Sequence, residues 1–188
     1  MASSQEWFRD QFFVSTSKAL IQPKVVNSAL ATDDVYWTNA MPEEQLKKML
    51  ANSFTFGLYE LPETSSAIAG KFFSTPGVRL LRSLIVNLGR QNPAQIGLVR
   101  LITDEVTFAY LSDVFVLSQY RGKGLGKWML ECVAETLNGW PQLRRSMLLT
   151  NSEQAKQFYT DVLGMEELPQ DGGVAVMTKR GPGSTMDH

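Results

Sequence analysis

The sequence has very little histidine and cysteine, and both shortages limit the catalytic groups, metal ligands and disulfides that it can form. Its one histidine is His188, so we expect neither a serine–histidine or cysteine–histidine catalytic pair nor a histidine-based metal site. The one cysteine, Cys132, has no partner for an intrachain disulfide, which fits a reducing compartment. Proton transfer must then depend on aspartate, glutamate, tyrosine, lysine or water.

Long apolar runs and a charge excess are also missing. No apolar run approaches the roughly 20 residues that span a bilayer, and residues 1–6 lack the basic and apolar regions of a secretory signal. The formal net charge of −1 provides no general attraction to nucleic acid or anionic membrane. We therefore expect a cytoplasmic protein without nucleic-acid or membrane partners, and a nuclear location stays open.

Hydrophobic periodicity predicts an ordered alternation of strands and helices. The predicted strands are 11–16, 54–61, 96–103, 107–117, 145–150 and 174–178, and the predicted helices are 23–31, one opening at Pro42, 124–137 and 151–163. Asp104-Glu105 should form a tight hairpin turn, and Asn151 with Gln154 should cap the last helix. The order predicts a single mixed α/β domain of the α+β type over 1–180, with a largely antiparallel sheet flanked by helices.

Two segments fall outside this regular pattern. Residues 62–94 are an insertion of uncertain structure, in which apolar residues between 78 and 88 recur at helical spacing and suggest a short amphipathic helix. A connection of this length is uncommon in a compact domain, so part of it should be ordered or functional. Shaping an acceptor site and forming a dimer contact are the two roles left open. Residues 181–188 are predicted to be a disordered tail.

The most informative segment is Tyr120 to Lys127, with the sequence Y-R-G-K-G-L-G-K. It follows a predicted strand and opens a helix, and its three glycines permit the positive φ angles that expose successive N–H groups. The helix N-terminus adds further N–H donors and partial positive charge. Together with the basic side chains, this turn is suited to a phosphate or pyrophosphate. The spacing fits neither the dinucleotide fingerprint nor the P-loop, and a purely structural turn is the alternative.

This turn resembles the acetyl-CoA signature R-x-x-G-x-G/A of the GNAT superfamily of N-acyltransferases, which Arg121, Gly124 and Gly126 match. The strand at 113–117 resembles the fourth strand of that family, and 151–164 resembles its later motif N-x-x-A-x-x-x-Y…G. The resemblance implies a mixed, mostly antiparallel sheet whose fourth and fifth strands begin parallel and then splay apart.

The resemblance also implies acetyl-CoA as co-substrate, with no metal. In that family the pantetheine arm lies in the gap between the splayed strands, and the pyrophosphate binds the glycine turn. Asn151 and Tyr159 would line the far side of the gap. The implied pantetheine contacts are Phe115, Val116 and Leu117, and the implied phosphate contacts are Arg121, Gly122, Lys123, Gly124, Leu125, Gly126 and Lys127.

Acetyl transfer to an amine needs a base for the amine, a donor for the oxyanion and a proton for the departing thiolate. Tyr159 matches the acid tyrosine of the family, with core packing as the alternative. Asp113 is the candidate base, because strand alternation places it in a row with Leu111, Phe115 and Leu117, where a carboxylate is unfavourable without a role or partner. The alternatives for it are an ion pair with a basic neighbour or an outward turn at a β-bulge.

Tyr36 and Trp37 are the candidate acceptor contacts, because this fold often builds its acceptor pocket after the first helix; ordinary packing is the alternative. The favoured hypothesis is an N-acetyltransferase that moves an acetyl group from acetyl-CoA to a primary amine of a small molecule, by direct attack in a ternary complex. Acetylation of protein lysines or N-termini, and a CoA-binding sensor without turnover, are the alternatives. A homodimer is also an open option.

Overall fold

A computed structural model describes residues 4–35, 37–61 and 93–168. Six strands form one sheet in chain order: β1 (Glu6–Arg9), β2 (Phe12–Ser15), β3 (Phe54–Glu60), β4 (Ala94–Thr103), β5 (Phe108–Val116) and β6 (Arg145–Met147). The helices are α1 (Pro23–Leu30), α2 (Glu43–Ala51), α3 (Leu125–Asn138) and α4 (Glu153–Leu163). Neighbouring strands from β1 to β5 are antiparallel, and β5 pairs with β6 in parallel, as predicted. Each helix in the described ranges is too short or too polar to span a lipid bilayer.

The two faces of the sheet carry separate hydrophobic cores. The α3 core lies under α3 and includes Phe56, Leu58, Leu101, Leu111, Leu125, Met129, Leu130 and Val133. The α1–α2 core lies on the other face and includes Val26, Leu30, Val35, Leu46, Leu50, Leu98 and Phe115. Because neighbouring residues of a strand point to opposite faces, Leu98 and Val99 enter different cores.

The sequence does not predict β1, which forms a hairpin with β2. Arg9 lies opposite Phe12, and Asp10 in the turn has a φ of 52°. The four residues of β1 are too few for a clear alternation, and the turn lacks the glycine that typically marks a two-residue hairpin. These two weak signals explain why the pattern starts at β2 in the sequence prediction.

Side chains of β1 and of the residue just before it attach the hairpin to α3. The Trp7 indole N–H donates to Glu135 Oε2 at 2.9 Å. The Thr136 hydroxyl donates to Gln5 Oε1 at 3.0 Å. Residues two apart on an extended chain share a face, so Gln5 and Trp7 both face α3, and β1 runs along that helix.

A β-bulge interrupts β5 at the position of the candidate base. Ser112 pairs with Arg100 and Phe115 with Leu98, so two β5 residues lie opposite one β4 residue. The first of these two residues is Asp113, whose φ of 32° lies in the left-handed region. Aspartate is among the residue types that tolerate this region better than most.

Because of the bulge, the residues predicted to form one row on β5 lie on two different faces of the sheet. Leu111 packs in the α3 core, whereas Phe115 and Leu117 pack with the α1–α2 core. The prediction that Asp113 shares a face with Leu111 is therefore wrong, because the inserted residue reverses the alternation between them.

Some element ends also differ from the prediction. Ser152 caps α4, accepting the N–H of Ala155 at 3.3 Å, so the predicted Asn151 cap is wrong. β6 ends at Met147 instead of residue 150. The β4–β5 turn is longer than the predicted Asp104-Glu105 pair, because the Asp104 carboxylate accepts several N–H groups that follow it. The predicted elements at 78–88 and 174–178 and the tail lie outside the described residues.

A buried tyrosine beside a strand glycine provides a stability test. Tyr59 is fully buried, its hydroxyl has no hydrogen-bond partner in the described part of the chain, and burial raises its pKa. Tyr59→Phe should raise the free energy of unfolding by about 1 kcal/mol, because it removes an unsatisfied hydroxyl. Gly57→Ala should lower it by about 1–3 kcal/mol, because the added Cβ would overlap Tyr59. Urea denaturation measures both; a Tyr59→Phe variant less stable than wild type would contradict this prediction.

Candidate active site

The turn between β5 and α3 has the geometry of an anion-binding nest. Gly122 and Gly124 have φ angles of 77° and 71°, a region that glycine adopts without strain. Gly124 is the N-cap of α3 and, having no side chain, makes no capping hydrogen bond to the first turn. The N–H groups at this helix end are available to an acceptor, and residues 121–124 are exposed. An anion can therefore reach them from solvent.

The next positions of the turn differ in what they offer a ligand. Leu125 is buried in the α3 core, so its main chain alone can reach a ligand. A Cβ on Gly126 would meet Val116 Cγ2 at 3.8 Å, an ordinary contact, so packing does not require glycine there. The Lys127 ammonium lies 4.0 Å from Glu131 Oε1 on the exposed side of α3.

Basic side chains of the turn are held by their neighbours. Arg121 Nε donates to the carbonyl oxygen of Val116 at 3.0 Å, which ties the turn to the end of β5. The Lys123 ammonium lies 5.2 Å from the ring centre of Tyr120 and 5.9 Å from that of Phe12. Cation–π contacts of this kind hold a lysine above an aromatic surface and leave its hydrogen-bond donors available.

β5 and β6 separate soon after they begin. They pair at Phe108↔Arg145, Ala109↔Ser146 and Tyr110↔Met147, after which β5 continues to Val116. Beyond Tyr110, the edge of β5 that faces β6 has no strand partner within the described ranges. This is the predicted gap between parallel strands that splay apart. Main-chain groups along the edge can pair with an extended ligand that carries amides.

A cavity of about 400 Å³ adjoins the end of β5 and the start of the turn. On one side it is lined by four of the predicted coenzyme contacts, Phe115, Val116, Leu117 and Arg121. On the α1 side it is lined by Lys24, Ser28, Ala29 and Val35. The cavity therefore has an apolar floor and a basic, polar rim. Across the described ranges, no cluster of histidine, cysteine, aspartate and glutamate could hold a metal ion.

Asp113 takes part in a buried ion pair. Its Oδ2 accepts a hydrogen bond from Arg100 Nε at 2.6 Å, and the two residues are 6% and 8% exposed. Arg100 also donates to the hydroxyls of Ser53 and Ser112, at 3.2 and 3.1 Å. The Trp37 indole N–H donates to Asp113 Oδ1 at 3.3 Å. The structure thus shows the pairing with a basic neighbour that the sequence left open, and the base role stays a prediction.

The two predicted acceptor contacts have different outcomes. Tyr36 lies outside the described residues. Trp37 is partly buried, packs against the α1–α2 core and contacts Asp113 across 76 positions of sequence. Nearby Val35 lines the cavity at the end of β5. The structure therefore joins one predicted acceptor contact to the predicted base.

Tyr159 and Asn151 lie on the α4 side. Tyr159 is partly buried, packs against the α3 core and has its ring 5.8 Å from that of Phe158. It also lines the groove between α4 and the segment after β6. Asn151 is exposed just before α4. The described contacts place Tyr159 in surroundings different from those of Asp113.

The sequence analysis missed two residues near these features. Tyr110 sits at the last β5–β6 pair, and burial, then the charge of Asp113, raises its pKa against an opposing effect of Arg100. A phenol of this kind stays protonated at neutral pH. Arg9 lies at the glycine turn, with its guanidinium 6.0 Å from the ring centre of Trp128. Neither residue belongs to a motif, and the folded chain brings them to the site.

The sequence is similar to those of known acetyltransferases. The model of the "Acetyltransferase (GNAT) domain" matches residues 85–162. A protein of Gibberella zeae named "Putative acetyltransferase FG08082" is 39% identical over 183 residues, which cover 96% of this chain and 95% of that protein.

Solved structures show the same fold. A crystal structure of a "putative acetyltransferase belonging to the gnat family" from Xanthomonas campestris pv. campestris is 26% identical with a TM-score of 0.63. The match covers 92% of this chain and 94% of that one. A structure from Staphylococcus aureus is 18% identical with a TM-score of 0.55, and the match covers 90% of this chain and 99% of that one. The second likeness concerns the fold alone.

Substitution of Asp113 separates its structural role from its predicted role as base. Asp113→Asn should lower the free energy of unfolding by about 3 kcal/mol, because it leaves the Arg100 charge buried without a counter-charge. Adding Arg100→Gln should recover much of this loss, and urea denaturation measures both variants. If Asp113 is the base, the folded double variant should still lose turnover by about 100-fold or more. A double variant with wild-type turnover and pH profile would leave the carboxylate a structural role alone.

Proposed function

The chain belongs to the GNAT family of acetyltransferases, and we propose that it transfers the acetyl group of acetyl-CoA to a primary amine of a small molecule. The proposed reaction is direct attack of the amine in a ternary complex. One observation carries this proposal: the glycine turn, the open edge of β5 and the cavity at Phe115 to Arg121 adjoin one another. In the described part of the chain, this arrangement places an anion site, unpaired main-chain groups and an open cavity next to one another.

The residues present fit acetyl-CoA, which supplies an activated acetyl thioester. The N–H groups around Gly122 and Gly124, with Lys123, are suited to its pyrophosphate. The edge of β5 beyond Tyr110 offers N–H and C=O groups to the amides of its pantetheine arm. Arg121 secures the junction of these two parts through its hydrogen bond to Val116. Holding both reactants in one geometry supplies much of the rate acceleration.

The acceptor side favours a small molecule. The cavity of about 400 Å³ shares Phe115 to Leu117 and Arg121 with the proposed coenzyme site. Its volume lies in the range of small-molecule sites, about 300–1,000 Å³, so it suits a compact acceptor beside the thioester. The hydrogen bond to Asp113 restrains Trp37, which can then serve as a flat wall for an amine.

Proton transfer is assigned to a base and to an acid on different elements. An alkylamine with a pKa of about 10 is mostly protonated at neutral pH, so it must lose a proton before it attacks. Asp113, or a water chain, is the proposed base. Tyr159 on α4 is the proposed acid that protonates the departing thiolate.

Thiol release from acetyl-CoA tests the proposed function. Purified protein should bind acetyl-CoA in calorimetry and release thiol faster when a suitable amine is added. The panel should contain small primary amines, a lysine-containing peptide with a blocked N-terminus and a lysine-free peptide with a free N-terminus. Release with small amines alone is the expected result.

The other outcomes distinguish the alternatives. Release with a peptide, and not with small amines, would favour protein acetylation. Binding without release across the panel would favour a CoA-binding sensor. Folded protein that does not bind acetyl-CoA would overturn the proposal.

The acid role of Tyr159 has its own test, with Tyr110→Phe as a matched variant. Tyr159→Phe should lower turnover by about 100-fold with little change in acetyl-CoA affinity, because it removes the proton donor and keeps the ring. Tyr110→Phe should leave turnover near that of wild type. A loss below about threefold in Tyr159→Phe would refute the acid role, and a large loss in Tyr110→Phe would move that role to β5.

A further inference from the structure

Packing of the N-terminal hairpin brings a positive charge to the glycine turn. Gln5 and Trp7 contact α3 through Thr136 and Glu135. Arg9 is the next residue on the same face of β1, two positions further. The strand therefore directs Arg9 toward the N-terminal end of α3, where the turn lies.

The guanidinium of Arg9 presents both of its terminal nitrogens to the turn, like the two prongs of a fork. Both of its terminal nitrogens lie 3.8 Å from the position that a Cβ would occupy on Gly124. Its central carbon lies 6.0 Å from the ring centre of Trp128, a contact that holds the planar group in place. Arg9 is exposed, and in the described part of the chain its side chain forms no ion pair with a carboxylate. Its donors are therefore available to a ligand at the turn.

A second positively charged side chain, that of Lys123, lies beside the same hairpin. The Lys123 ammonium lies over the rings of Phe12 and Tyr120, and these rings meet edge to face with centres 6.4 Å apart. The Tyr120 hydroxyl donates to Glu60 Oε2 at 2.6 Å, which anchors this aromatic pair to β3. The hairpin and the turn thus hold two positive charges on the side of the turn away from the α1 cavity.

We infer that Arg9 is a phosphate-binding residue of the acyl-CoA site, an inference that rests on the proposed function. Arginine binds phosphate oxygens through two parallel N–H donors, and the fork of Arg9 is directed at the turn where the pyrophosphate is proposed to bind. Arg9 lies outside residues 85–162, which the family model matches, and outside the glycine motif. The ligand group is a phosphate of coenzyme A, either the pyrophosphate or the 3′-phosphate.

Calorimetry with two ligands and two variants tests this inference. Arg9→Met removes the charge and keeps an apolar chain over Trp128, so the hairpin should stay docked. CoA should bind this variant about tenfold more weakly than wild type, as expected for the loss of a charge-assisted hydrogen bond. Lys48→Met is the matched control, because it removes one exposed positive charge from α2, on the opposite face of the sheet.

The second ligand, 3′-dephospho-CoA, identifies the phosphate involved. If Arg9 binds the 3′-phosphate, wild type and Arg9→Met should bind this ligand equally. If Arg9 binds the pyrophosphate, the tenfold difference should persist. Both results support the inference.

Two outcomes would overturn the inference alone. One is a change in CoA affinity below about twofold in Arg9→Met, and the other is an equal change in Lys48→Met, which would indicate a general charge effect. Thermal unfolding of each variant checks that the fold is retained. Wild-type protein that binds neither ligand would overturn the proposed function, and with it this inference.

Discussion

The buried ion pair between Arg100 and Asp113 is the constraint on which the geometry of the site depends. Two charges removed from water require close contact and further hydrogen bonds, which Ser53, Ser112 and Trp37 supply. To reach Arg100, Asp113 must leave the regular alternation of β5, and the β-bulge with a φ of 32° achieves this. The pair and the bulge are therefore one feature, and neither is explained without the other.

The bulge has consequences for both ends of β5. Before it, Leu111 packs under α3, and pairing with β6 has just ended at Tyr110. After it, Phe115 packs under α1, next to the cavity that Arg121 also lines. A regular strand would place Leu111 and Phe115 on the same face. The same interruption thus separates the strand into a part that builds the α3 core and a part that borders the proposed acetyl-CoA site.

Sequence reasoning predicts the parts of this protein whose signal is local. The glycine turn, α3, α4 and the β4–β5 hairpin each have their pattern within a short segment, and the structure contains all of them. The bulge is not predictable in this way, because its partner Arg100 is 13 positions away and looks like an ordinary strand residue. The cap of α4 was misassigned because Asn151 and Ser152 are both good caps, and backbone geometry selects between them.

The proposed coenzyme site combines a local part and a non-local part. Main-chain N–H groups of the turn are available to any sequence that has glycine at the right spacing, so a short motif is sufficient to predict them. A side chain such as Arg9 reaches the same place through the docking of a hairpin on α3, which depends on the pairs Trp7–Glu135 and Gln5–Thr136. No short sequence motif indicates such a contact. Motifs therefore predict the anion site, whereas the charges that surround it depend on how the rest of the chain packs.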